Sequence, residues 1–405
     1  MDLVAKRMEN IGSDIRGRNF WAALDLEKKG EKVLKLNTGN PAAFGFKMPE
    51  SVRKALVENM DRAVGYSDVR GMIDARQAIY DYHVSKGVTN FGMDDIFIGN
   101  GVSEIASMIA TALFDKGDEV LVPSPCYSLW SNEIMLSDAK PVYYLCDESN
   151  GWNPDLDHIK SLITPKTKAI LLINPNNPTG VLYSNEVLLE IAEIARQNKM
   201  MILSDEIYDR LVFDGKEHTA MAKLAPDLTI LTMNGLSKSH VLCGFRCGWM
   251  VISGPEKERE EINAAILKVA SIRLGANSIM QTIIPAAIAD TEYPNSMIRP
   301  GGRLYEQRKA TCEALDSIPG VSYIKNDGAL YVFPKIDKGA ELIENDKEFA
   351  YNLLMDKHVL IVPGSGFKWA QPDHFRIVML PEPDVLADAM RRMGEFLDGY
   401  KQKSI

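Results

Sequence analysis

At 405 residues the chain is long enough for two or three domains, and 46% apolar with 25% charged residues is the balance of an ordinary globular protein with a large buried core. A formal charge of −9 with no basic block argues against nucleic acid as a partner. No apolar run is long enough to span a bilayer, the first ten residues lack the apolar stretch of a signal peptide, and five scattered cysteines (Cys126, Cys146, Cys243, Cys247, Cys312) read as reduced thiols rather than a disulfide framework. A cytoplasmic protein with no membrane partner and no metal site is therefore expected.

The first 45 residues are linked to the remainder of the chain by a Pro- and Gly-rich stretch at 39–49. Between about 95 and 253, short apolar runs alternate with helical patterns. Strands are predicted at 96–98, 119–123, 142–145, 169–173, 201–204, 229–233 and 248–252, with helices over 102–114 and 185–198. Buried β-rich runs separated by helices specify a mostly parallel sheet covered on both faces. A long helical region runs on to about 290, and a Pro/Gly break comes next at 294–302. Beyond it lie a helix over 303–317, strands at 321–325, 330–333 and 375–379, and a closing helix over 383–397. The expected fold class is α/β: a large domain with a mostly parallel seven-stranded sheet, plus a smaller α+β domain. The expected division is an N-terminal arm that joins the small domain (1–48), a large domain (49–298) and a C-terminal small domain (299–405).

In such sheets ligands bind beyond the carboxyl ends of the strands, so the residues just past each strand matter most. After 96–98 comes Gly99-Asn100-Gly101-Val102-Ser103, opening a helix whose free amides suit an anion, or else a plain tight turn. Tyr127 follows the next strand and could stack on a flat ring or simply fill the core. Asn174-Pro175-Asn176-Asn177-Pro178-Thr179-Gly180 is a stiff, irregular loop able to hold an amide rigidly at a strand end. Asp205, in Ser204-Asp205-Glu206-Ile207-Tyr208, is an acid at the end of a buried strand, costly unless paired, and a protonated ring nitrogen would serve. The plainer reading is a solvated carboxylate beside a core tyrosine. Lys238 follows the strand at 229–233, preceded by Ser237 and followed by Arg246. That pattern suits a lysine that bonds to an aldehyde whose phosphate the Ser and Arg hold. Arg376, flanked by apolar residues, wants an anion, either a substrate carboxylate or a structural partner. His240 is read as a polar loop residue with no role.

These motifs, in order and spacing, resemble the fold type I aminotransferases of class I/II, which depend on pyridoxal 5'-phosphate. The stretches LNTGNPAAFGF (36–46), GYSDVRG (65–71), NGLSK (234–238), PGGRLYEQR (300–308) and DHFRIV (373–378) carry the resemblance toward bacterial alanine (glutamate–pyruvate) aminotransferases. The resemblance implies an aspartate-aminotransferase-like fold and residue roles. Lys238 would bond covalently to the cofactor and then carry the substrate proton. Asp205 would pair with the ring nitrogen, Tyr208 and Asn177 would donate to the ring oxygen, and Tyr127 would stack on the ring. Arg246, Ser237, Ser103 and the amides near Gly101 and Val102 would hold the phosphate. Tyr66 would reach the phosphate of a neighbouring subunit, which implies a homodimer. Arg376 would bind the substrate α-carboxylate, with the Gly39 backbone and Asn177 beside it.

The chain departs from the family pattern in three places. It has Pro125-Cys126-Tyr127-Ser128 where members commonly read Pro-Asp-Tyr-Pro. It has His240-Val241-Leu242-Cys243-Gly244 where an arginine is common in second place. It has Ser13-Asp14-Ile15-Arg16-Gly17 where many have a leading tyrosine. The last segment bears on substrate choice, and Arg16 is expected to help bind a dicarboxylate such as glutamate. The expected reaction is L-alanine + 2-oxoglutarate giving pyruvate + L-glutamate. The alternatives are a methionine, branched-chain or aromatic aminotransferase, or a carbon–sulfur β-lyase on the same fold.

Overall fold

The structure, a computed structural model, describes residues 3–402, so the outer limits placed at residues 1 and 405 lie outside the described residues. Its centre is one sheet of eight strands. From edge to edge they are Ile96–Asn100, Cys247–Ser253, Ile230–Gly235, Met201–Asp205, Thr167–Ile173, Glu119–Ser124, Lys140–Asp147 and Asn153–Pro154. Seven are full strands matching the expected seven. The eighth is a two-residue antiparallel edge piece on Cys146 and Asp147, too short to show in the apolar pattern. The central pairings are parallel, but Cys247–Ser253 runs antiparallel to both neighbours. Ile170, Leu171, Leu172, Ile202, Leu203, Ile230 and Leu231 are all buried, as a sheet covered on both faces requires.

Helices supply the cover by ordinary amphipathic logic. In Asn185–Asn198, Leu188, Ile191, Ala192 and Ala195 fall on one face and are buried. Ser184 caps its start by accepting from Val187 N at 3.3 Å, and Lys199 ends it in the left-handed region at φ 55°. Each fully buried Leu or Ile on such a face contributes about 1.5–3 kcal/mol.

The register brings the chemistry to one end of the sheet. Ile173 lies opposite Asp205, and Asp205 opposite Met233, so the loops after these strands leave side by side. Because Cys247–Ser253 is reversed, its start sits at that same end, with Cys247 opposite Asn100 and Gly248 opposite both Gly99 and Gly235.

A second group of elements lies over that end. Helices Arg303–Asp316, Asp346–Lys357 and Pro383–Leu397 pack through Leu304, Leu315, Phe349, Leu353, Leu386 and Met393. They cover a three-stranded antiparallel sheet of Tyr331–Val332, Phe375–Val378 and Val362–Pro363. The N-terminal segment joins this group: Leu34–Lys35 pairs in parallel with Val359–Leu360.

Two expectations change. Pro294 does not open a break but lies in the first turn of helix Glu292–Ile298, where its missing N–H has no intrahelical partner to lose. The break shrinks to the four residues from Arg299 to Gly302. The helical region beyond Pro255 is not continuous: Glu256–Ile272 ends in a turn with Leu274 at φ 60° and Gly275 at φ 87°, and two short helices come after it.

Candidate active site

A cavity of about 860 Å³ lies between the carboxyl end of the large sheet and the second group of elements. Ser103, Tyr127, Asn177, Asp205, Tyr208, Ser237, Lys238, Arg246 and Arg376 all line it, as do Arg16, Gly39 and Val102. Gly101 adjoins it. Tyr66 does not contribute to the cavity of its own chain and is 86% exposed on the surface.

One side is built for an anion. Helix Val102–Leu113 begins on Gly101 at φ 82° with no side-chain cap, and while Glu104 N already donates to Gly101 O at 3.1 Å, the Val102 and Ser103 amides are left for a ligand. Its start is pressed onto the sheet. A Cβ on Gly248 would stand 2.6 Å from Val102 N, and one on Gly101 would collide with the Arg246 guanidinium. Arg246 takes φ 56°, and its Nη1 donates to Cys243 O at 2.9 Å, which holds the guanidinium over the helix start. Two hydroxyls, a guanidinium and helix-end amides make a cradle for a phosphate dianion.

The floor carries Asp205, 4% exposed, at the end of Met201–Asp205. Trp130 Nε1 donates to its Oδ2 at 2.9 Å and Ile207 N to its Oδ1 at 3.3 Å. Burial still dominates and pushes its pKa up to about 6. A buried carboxylate whose donors are neutral, facing a cavity, suits a cationic N–H on a ligand.

The loop at 174–180 is rigid through its own side chains. Tyr183 N donates to Asn174 Oδ1 at 3.0 Å, and Thr179 Oγ1 to Asn176 Oδ1 at 3.0 Å. Gly180, at φ 71°, packs where a Cβ would meet Asn326. Asn177 is thereby fixed beside Arg376. Its side-chain oxygen accepts from Arg376 Nη1 at 3.1 Å, which leaves its amide hydrogens for a ligand. Tyr208 joins its hydroxyl to that of Tyr331 at 3.0 Å.

Arg376 is 1% exposed and has no carboxylate partner among the described residues. Its Nη2 donates to Asn37 O, its guanidinium lies 4.4 Å above the Tyr331 ring and 4.7 Å from that of Phe367, and its Nε is buried without a partner. Desolvation lowers its pKa from the ordinary value. A buried, uncompensated guanidinium with an orphaned N–H is a receptor for a carboxylate. Across the cavity Lys238 Nζ donates to Gly39 O at 2.9 Å. Asn37 Nδ2 donates to Ile15 O at 2.9 Å, tying the segment of Ser13, Ile15 and Arg16 to the cavity mouth, where Arg16 is exposed and has no ion-pair partner within 4 Å among the described residues.

Three contributors escaped the sequence reading: Trp130, Asn37 and Tyr331. Only Asn37, next to the Thr38-Gly39 backbone, lay in a stretch already singled out. His240 is also corrected. It is buried, stacked on Tyr293 with centroids 6.1 Å apart, and its Nε2 lies 3.2 Å from Asp290 O. The helix that carries Tyr293 covers it, which the polar Ser237-Lys238-Ser239 run before it did not indicate.

The cavity thus fits a flat, phosphorylated, nitrogen-containing aromatic aldehyde, with a lysine at its centre and a carboxylate receptor on the far wall. The chain belongs to the family of class I and II aminotransferases, whose family model, "Aminotransferase class I and II", matches residues 31–392. It is an aminotransferase of the α/β fold type I architecture. It is 47% identical to the glutamate-pyruvate aminotransferase AlaA of Escherichia coli over 398 residues, covering 98% of each chain. It is 42% identical to an alanine aminotransferase of Mycobacterium tuberculosis over 397 residues, covering 98% of this chain and 92% of that one. A solved alanine aminotransferase from Pyrococcus furiosus superposes with a TM-score of 0.93 at 38% identity, covering 98% of this chain and 99% of the other.

Proposed function

We propose that the chain binds pyridoxal 5'-phosphate and exchanges an amino group between L-alanine and 2-oxoglutarate, giving pyruvate and L-glutamate, as a cytoplasmic homodimer. The observation that carries the reading is the buried, uncompensated Arg376 facing Lys238 across a cavity floored by Asp205. The alanine assignment rests on relatives bearing that activity in their names at 42–47% identity over nearly the whole chain. The arm at 1–48 and the elements at 299–405 would form one body, and 49–298 the other. Val64, Tyr66, Ile73 and Ile272 are exposed apolar residues available to a second copy, and Tyr66 would reach the phosphate site of that copy. All five cysteines are free thiols, in keeping with a reducing compartment.

When bound, pyridoxal phosphate supplies an aldehyde for the amino group and a ring that takes up the electron pair left when the α-proton departs. The protein does the rest. Gly101, Val102, Ser103, Ser237 and Arg246 would hold the phosphate and so fix the ring. Tyr127 would stack on the ring, Asp205 would keep the ring nitrogen protonated, and Tyr208 and Asn177 would donate to the ring oxygen. Lys238 Nζ would hold the aldehyde carbon at rest and, once released by an incoming amine, would carry the proton that leaves the substrate α-carbon. Arg376 anchors the α-carboxylate, so the α-carbon stands over Lys238. Arg16 receives the second carboxylate of glutamate.

A steady-state exchange assay tests the substrate pair. Alanine with 2-oxoglutarate should be turned over at least tenfold more efficiently than methionine, leucine or phenylalanine with the same acceptor. A higher rate with one of those would move the assignment to it, and pyruvate from cystathionine without any oxo acid would favour the lyase.

A further inference from the structure

Tyr331 lies in the short strand Tyr331–Val332, 2% exposed, and touches three functional groups at once. Its hydroxyl is 3.0 Å from that of Tyr208, and the two rings meet edge to face at 83° with centroids 5.8 Å apart. Its ring carries the Arg376 guanidinium at 4.4 Å. Its hydroxyl also lies against the Cα of Gly39, so closely that no side chain fits there, and Gly39 O is the acceptor for Lys238 Nζ at 2.9 Å. The backbone of Tyr331 is pinned opposite Val378, two residues from Arg376.

We infer that Tyr331 is a positioning residue that donates its hydroxyl proton to Tyr208, so that the single proton of Tyr208 is aimed at the ring oxygen of the bound cofactor, while its ring sets the height of Arg376. The inference rests on the proposed cofactor reading and adds to it a residue that ties the carboxylate receptor to the ring-oxygen donor. A phenol has one proton and two lone pairs. If Tyr208 gives its proton to the cofactor, the bond between the tyrosines must be donated by Tyr331. Charge supports that direction. Burial raises the Tyr331 phenol, but the positive charges of Lys238 and Arg376 pull it downward, which makes its hydroxyl a better donor. A chain of two hydrogen bonds polarises its last donor, which makes Tyr208 a stronger donor to a ring oxygen that carries negative charge.

Hydrogen bonding to the ionised ring oxygen lowers the pH at which the visible absorbance of bound pyridoxal phosphate titrates. On the loaded enzyme, Tyr331→Phe should raise that midpoint by about half a unit, because one link of the chain is gone. On a Tyr208→Phe background the same substitution should move it no further, since the bond it feeds is already absent. Tyr331→Phe keeps the ring beneath Arg376, so it should lower kcat while KM for alanine stays within about twofold. Tyr331→Leu, the second variant, should raise KM about tenfold or more. An unchanged midpoint in Tyr331→Phe, an equal shift on both backgrounds, or equal KM changes in the two variants overturns the inference. Wild-type protein that takes up no pyridoxal phosphate would instead strike the reading of the whole site.

Discussion

The indole N–H of Trp130 donates to the carboxylate of Asp205 at 2.9 Å, across 75 residues of chain, and so orients the acid that floors the cavity. Neither this bond nor the one from Ile207 N offsets the burial that lifts Asp205 to about 6. The acid is stored in a destabilised state until a cation arrives, and that has consequences for stability and for catalysis.

Without cofactor, the native state binds a proton on Asp205 more tightly than the unfolded chain does. The contribution of Asp205 to native stability therefore falls as pH rises between about 4 and 6 and is flat beyond, the loss being on the order of 3 kcal/mol. Asp205→Asn removes this cost. The melting temperature of the cofactor-free variant should exceed that of wild type at pH 7 and approach it near pH 4. Transamination should fall by about 100-fold or more, because the ring nitrogen loses its counter-charge.

Arg376→Lys should not substitute for arginine. The lysine cannot keep the contacts to Asn177 Oδ1 and Asn37 O together with the stack on Tyr331. The value of kcat/KM for alanine and for 2-oxoglutarate should drop together by roughly 100-fold, read from initial rates. Pyridoxal phosphate uptake, followed by absorbance, should be unchanged.

Gly248→Ala probes the phosphate cradle from beneath. The new methyl would stand 2.6 Å from Val102 N, so the helix start must move off the sheet. Affinity for pyridoxal phosphate, measured by titration of the cofactor-free protein, should fall at least about tenfold. The affinity of the variant should also depend less on salt if the amides and Arg246 no longer act together.

Arg16→Ala separates the two substrates. The residue is exposed at the cavity mouth, so its contribution is modest, roughly three- to tenfold in kcat/KM for glutamate and 2-oxoglutarate. Alanine and pyruvate, which lack a second carboxylate, should react as before. Equal effects on both half-reactions, measured in single-turnover mixing, would remove Arg16 from substrate binding.

The strand-end residues were legible because they obey a local rule. A buried apolar run ends, and the polar residues of the segment that follows it lie at the ligand end of a parallel sheet. Lys238, Asp205, Asn177 and the Gly101 turn all conform to it. Arg376 stood out because a charge inside the apolar run Phe375–Val378 needs an explanation. Trp130 and Tyr331 obey no local rule. Trp130 sits in helix Ser128–Leu136 among Leu129, Ile134 and Leu136, and only the packing of that helix on the sheet turns its N–H toward Asp205. Tyr331 sits in a two-residue strand between Leu330 and Val332, and what makes it functional is the tertiary approach of Tyr208, Arg376 and Gly39. His240 failed the opposite way: Ser237, Lys238 and Ser239 before it are polar, but Tyr293 arrives from a helix some fifty residues on and packs against it.

The central claim is that Lys238 moves a proton on an alanine held by Arg376. The most direct measurement is a single-turnover mixing of the enzyme, loaded with pyridoxal phosphate, with L-alanine deuterated at the α-carbon and no oxo acid. Loss of the visible cofactor band, one pyruvate per site, and a rate several-fold slower than with unlabelled alanine are expected. Lys238→Ala loaded in the same way should form no pyruvate on that timescale. Discharge of the band by Lys238→Ala at the wild-type rate, or no discharge of the wild type by alanine, would contradict the claim.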